Sequence, residues 1–305
     1  MARSRLLWAT VLFLALAAVL PLWLSAYILG ILTTAYYFGV FAMSWDLLFG
    51  FAGEVNFGPT FLIGLGAYTA ALIDNLLGWP IPICVAAAAV VAVVGGLLLA
   101  LPALRLHGPY FGLVTLVAVL LLQDVIVIFA HFTGGEIGMT VPDVLSISAG
   151  TNYWIALVFL AVSGAALFFY SRSPLGLILQ AAGQDPTEAA SLGFNVAKHK
   201  LAAFSVSAFF SGIAGAMLIF YLGSASVDVV VDLSIAVQII IAAVLGGRRT
   251  ILGSVIGGVF LIAAGQVLLP LGQLSTFVVS AVALLVILFF PDGLLGHALR
   301  RGEQE

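Results

Sequence analysis

Apolar runs of about 20 residues, parted by short polar breaks, repeat along nearly the whole chain. A helix needs about that length to cross a hydrocarbon core of roughly 30 Å. Inside lipid every backbone N–H and C=O must be satisfied within the protein, so only helices and closed barrels cross. Barrel strands would read as stretches of about 10 residues with alternating polarity, and the chain has none. The pattern predicts an all-α, polytopic membrane helix bundle. Its spans fall near 7–29, 31–49, 58–77, 83–104, 109–130, 153–171, 201–223, 231–247, 250–269 and 272–291. Ten is the expected count. Eight or nine are the alternatives, because the eighth run is short and the region between the second and third is irregular. The first run exceeds the roughly 7–15 apolar residues of a secretory signal and is expected to be retained.

Composition narrows the class. Soluble domains are about 25% charged and roughly 45–50% apolar, whereas this chain is 8% charged and 63% hydrophobic, with a mean hydropathy of +1.25. So few charges cannot cover a soluble surface, which excludes a cytosolic enzyme, a nucleic-acid binder and a disordered protein. The lone Cys84 cannot form an intrachain disulfide. The net charge of −3 says less than where the charges fall. With the N-terminus inside, Arg3, Arg5, Arg105, Arg172, Lys198, Lys200, Arg248, Arg249, Arg300 and Arg301 all lie on the cytoplasmic side, which is every Lys and Arg in the chain. The outer connections hold Glu136, Asp143 and Asp228 and no fixed positive charge. That asymmetry predicts both termini inside.

Residues that usually carry chemistry are sparse. No Walker A sequence and no Gly-x-Ser-x-Gly is present. His107, His131, His199 and His297 are too scattered to form a metal set. The expectation is a non-enzyme with no cofactor and no metal. Asp46, Glu54, Asp124 and Asp232 are the acids an ion-coupled secondary transporter would use. Small residues at Ser207, Ser211 and Gly215, and at Gly253 and Gly257, suit close helix packing or the lining of a path.

The longest polar stretch, 172–200, specifies a helix. Asp185 is placed as N-cap, Pro186 as first helical residue and Glu188 as the carboxylate returning to the cap. Thr187, Ala189, Ala190, Ser191 and Leu192 continue it, and Gly193 is placed for a left-handed C-cap. Two turns are too short to be stable alone. A short, capped helix outside the membrane suits contact with a partner.

At this loop Glu188-Ala189-Ala190-Ser191-Leu192-Gly193 resembles the coupling helix of ABC importer permeases. Further segments are similar to the branched-chain amino acid permease family of the LivM type. They are 50–58 (Gly-Phe-Ala-Gly-Glu-Val-Asn-Phe-Gly), 64–68 ending in Tyr68, 104–111, 113–116 with Thr115, Thr133-Gly134-Gly135 with Gly138, 173–176, 244–247 and 252–253. The resemblance implies one permease transmembrane domain over 1–305, with 172–200 as the coupling loop, in a bacterial inner membrane. It implies a second, homologous permease subunit, two ATP-binding subunits and a periplasmic solute-binding protein as partners, and a branched-chain or related hydrophobic amino acid as cargo. A urea, amide or aromatic-acid importer of the same family is the alternative. The family usually has Gln at 54, Ser near 56, His at 59, and Gly or Met and then Gly where Arg248-Arg249 stand. Segment 50–58 sits between two apolar runs, and non-helical backbone at membrane depth has to be buried or line a cavity. Glu54, Asn56 and Thr60, with Tyr68 and Thr115, are the residues expected along the path, an ordinary cytoplasmic turn being the other reading of 50–58. Asp185, Pro186, Thr187, Glu188, Ala189, Ala190 and Gly193 are those expected to couple it to ATP hydrolysis.

Overall fold

Prolines set many of the helix starts. Lacking an N–H and fixed near φ −65°, proline suits the first turn, where no intrahelical acceptor is available. A computed structural model describes residues 15–106 and 109–272, with 274, 278 and 281. Its long helices are α1 (Ala26–Asp46), α2 (Pro59–Leu77), α3 (Ile81–Ala103), α4 (Pro109–Ile128), α6 (Ala149–Arg172), α9 (Val196–Leu222), α11 (Leu233–Gly246) and α12 (Leu252–Val267). Shorter ones are α5 (Ala130–Thr133), α7 (Pro174–Gln184), α8 (Pro186–Ser191) and α10 (Val227–Val230). A π turn, Leu47–Phe51, prolongs α1.

Among the described residues seven stretches are long and apolar enough to cross a membrane: Ala26–Phe51, Pro59–Leu77, Ile81–Ala103, Tyr110–Ile128, Ala149–Arg172, Val196–Leu222 and Val227–Gly246. At 16 residues α12 is apolar but shorter, about 24 Å at the usual helical rise. The protein is an all-α, polytopic membrane protein. The predicted break between the first two spans is misplaced. It falls at 20–25, where a 3-10 turn (Leu20–Leu22) containing Pro21 ends one helix, and α1 then runs unbroken past Gly30. Proline removes a hydrogen bond and clashes with the preceding turn, whereas a glycine costs a helix only about 1 kcal/mol. The ninth span is nearer 252–267, and the seventh starts earlier, at Val196, where Asn195 Oδ1 accepts the Lys198 N–H at 3.0 Å. Most of the tenth expected span and the start of the first, 7–14, lie outside the described residues.

The chain divides into two compact units. The first draws on Met1–Asp46, Ser146–Phe168 and Ile241–Glu305. In it Gly39 lets α1 meet α6 and α12: a Cβ there would lie 3.3 Å from Leu160 Cδ1 and 3.5 Å from Val255 Cγ1. Tyr153 Oη donates to the Ala17 C=O at 2.7 Å, which leaves Tyr36 Oη to donate to Tyr153 Oη at 2.8 Å.

The second unit draws on Leu47–Leu145 and Phe169–Ile240. Here α2, α3 and α9 pack on small residues; Ser207 and Ser211 are buried, and a Cβ on Gly96 would lie 3.0 Å from that of Ala208. The small-residue stripe on α9 is a packing surface. Two ends can be told apart in this unit. At one, the short strands β1 (Met139–Thr140) and β2 (Ser224–Ala225) pair antiparallel, and Asn75 Nδ2 donates to the Thr140 C=O at 2.8 Å. The Asp143 N–H donates to Asp74 Oδ2 at 3.3 Å beside them. The start of α2, about 29 Å away at the helical rise, marks the other end.

Candidate functional site

At that other end the chain leaves the helix between Phe51 and Pro59. The π turn carries the Ala52 N–H to the Leu47 C=O (3.3 Å) and the Glu54 N–H to the Leu48 C=O (3.1 Å), and Gly53 takes φ +72° to make the turn. Asn56 Oδ1 then accepts the Gly58 N–H at 2.8 Å. Thr115 Oγ1 accepts the Phe57 N–H at 3.0 Å while donating to the Gly112 C=O at 2.8 Å. Side chains thus supply the hydrogen bonds that a helix would otherwise have given this stretch. Asn56 and Thr115, both buried, are held in that work.

The remaining residues expected along the path part ways. Thr60 and Tyr68 stand eight residues apart, two turns along one face of α2, and are buried at 0% and 5% exposure. Neither hydroxyl has a hydrogen-bond partner among the described residues. An orphaned buried hydroxyl costs about 1–3 kcal/mol unless something satisfies it. Glu54 instead meets Lys200, with Oε1 2.5 Å from Nζ and the two side chains 17% and 12% exposed.

The loop 172–200 holds more helix than expected. Ser173 Oγ accepts the Gly176 N–H at 3.3 Å and Pro174 opens α7. The Ser173-Pro174 pair was the available signal for it. In α8, Asp185 Oδ1 accepts the N–H groups of Thr187 (2.8 Å) and Glu188 (2.9 Å). The returning bond from Glu188 has no donor to meet, because the Asp185 N–H already closes α7 on the Ala181 C=O at 3.1 Å. Gly193, at φ +89°, ends α8 with paired bonds from Gly193 N–H to the Ala190 C=O (2.9 Å) and from Phe194 N–H to the Ala189 C=O (3.2 Å). Pro186, Thr187, Glu188, Ala190 and Ser191 are exposed, and Ala189 alone faces inward.

Contacts that no pattern foretold join the loop to the break. Gly183 of α7 lies backbone to backbone against 51–53: a Cβ on Gly53 would sit 2.7 Å from the Gly183 C=O, and one on Gly183 would run into the Phe51 C=O. The acids weighed for ion coupling stand apart from one another. Asp46, buried, accepts the Arg249 N–H on Oδ1 at 3.1 Å; Asp232 Oδ1 accepts the Ser234 N–H at 2.6 Å ahead of α11; Asp124 is exposed. Arg249 has φ +64°, a left-handed backbone that favours glycine. Burial, together with Arg248, pushes its guanidinium below the ordinary value, and Asp46 opposes this. Among the described residues no three His, Cys, Asp or Glu side chains are grouped as metal ligands.

The family model for the branched-chain amino acid transport system permease component matches residues 27–291. The chain belongs to this family. It is 27% identical over 316 aligned residues, 92% of its own length and 73% of theirs, to the high-affinity branched-chain amino acid transport system permease protein LivM of Escherichia coli K12 and to that of Salmonella typhimurium LT2. No solved structure matches. Membership makes the chain a membrane permease component of the ABC type, and its run of apolar helices fits a multi-pass protein.

Proposed function

We propose that the chain is the membrane-embedded permease subunit of an importer for branched-chain or related hydrophobic amino acids in a bacterial inner membrane. Both units act as one transmembrane domain, and α8 is seated on a separate ATP-binding subunit. The observation that carries this reading is α8 itself: six residues, capped at both ends, with its side chains exposed to all but one side. A helix this short has little stability of its own, and its caps hold it as a compact knob. It has no ATPase site, so two ATP-binding subunits supply the work. A second, homologous permease subunit completes the path, and a periplasmic protein delivers the solute.

Orientation follows from charge. Every Lys and Arg falls on the side assigned to the cytoplasm, and both termini lie there. The meeting of 139–140, 224–225 and the end of α2 supports the assignment of these connections to the opposite side. The unpartnered hydroxyls of Thr60 and Tyr68 support a polar face there for a zwitterion on its way through. Vesicles holding the whole assembly, energised with ATP, are expected to take up labelled leucine well ahead of urea and aromatic acids. Preferred uptake of urea or an aromatic acid would reassign the cargo. Uptake of leucine that persists without ATP and collapses with an ionophore would overturn the reading.

A further inference from the structure

The start of the path segment is tied to the coupling loop at two places, one on each side of α8 in sequence. Before α8, Gly183 lies on the backbone of 51–53 with no room for a side chain between them. After α8, Lys200, in the second turn of α9, meets Glu54. The pair joins residues 146 positions apart. Both side chains are largely withdrawn from water, where attraction between charges is less screened than at the surface. Val55 and Phe57, by contrast, are 37% and 39% exposed, so a reporter at Val55 is open to a reagent.

We propose that Glu54 and Lys200 form the link through which a displacement of α8 reaches the segment 53–58, with Glu54 as a positioning residue of the transport cycle. This rests on the reading that α8 meets an ATP-binding subunit. Lys200 is carried by the helix that α8 leads into, and the Gly183 contact only presses, whereas the ion pair can also pull. Reversing either charge sets two like charges against each other and opens the link; exchanging both restores it with opposite polarity.

The test uses the complex isolated with its ATP-binding subunits, in a Cys84→Ala background. A cysteine at Val55 reports the segment through its rate of reaction with a maleimide, with and without ATP plus vanadate. The paired protein is expected to change that rate about tenfold, since two-state equilibria of this kind shift by such factors. Glu54→Lys and Lys200→Glu are each expected to abolish the change, and the double exchange to restore it. A full change in either single variant overturns the proposal, as does a double exchange that assembles yet stays unresponsive. If a single variant fails to assemble, the double exchange decides in the same way. A second cysteine, Leu192→Cys, checks the underlying reading. If bound ATP-binding subunits leave it fully reactive, the seating of α8 fails and the link with it. If it is protected while the response at Val55→Cys ignores the charge reversals, the link alone fails.

Discussion

Asp185 serves two helices at once, giving its N–H to the end of α7 and its carboxylate to the start of α8. Losing a cap of this kind costs about 1 kcal/mol, a factor of about five in a local equilibrium. Asp185→Ala is expected to speed hydrogen exchange at the Thr187 and Glu188 amides by roughly that factor and to weaken transport-coupled ATP hydrolysis, with membrane insertion intact. Asp185→Asn, an equally good cap, is expected to do neither. Glu188→Ala is expected to leave those amides unchanged, because its side chain caps nothing in this fold. Equal exchange in the Asp185→Ala and native proteins would count against the double role. Arg249 offers the opposite sign. A non-glycine residue at φ +64° carries strain of about 1 kcal/mol or more, so Arg249→Gly is expected to raise the thermal midpoint in detergent, and a lower midpoint would show that its charge matters more than its backbone.

Between elements the decisive feature is how closely backbones approach. A side chain at Gly183 would run into the Phe51 C=O. Gly183→Val is therefore expected to separate α7 from the break and to destabilise the protein by about 1–3 kcal/mol, as overpacking does, read as a fall in the thermal midpoint. An unchanged midpoint would mean that α7 can move away at no cost. Most elements were legible in the sequence because each has its own local signal: an apolar run of spanning length, a proline at its start, a cap before it. The knob was legible for that reason to within one residue, ending at Ser191 rather than Leu192, though the returning bond from Glu188 was not. The partner of Glu54 was not, since an ion pair across 146 positions leaves no trace in local spacing. Its role as a path-lining carboxylate was read from the glycine-rich break, which was real, but the lysine that occupies it belongs to another helix. The break before α1 was placed near 30 from run lengths alone, whereas Pro21 sets it at 20–25.

At the scale of the molecule, the role proposed needs mechanical work to be received from another subunit at one place, and the charge asymmetry supports the cytoplasmic side for it. The apolar runs, the family match over 27–291 and the exposed, doubly capped α8 support one account: a helical conduit driven from a single small cytosolic helix. Ala190, exposed on that helix, allows the most direct test. In a Cys84→Ala background, Ala190→Cys is expected to resist a membrane-impermeant thiol reagent in intact cells and to react once the inner face of the membrane is opened to it. Reaction in intact cells would place α8 outside and contradict the account.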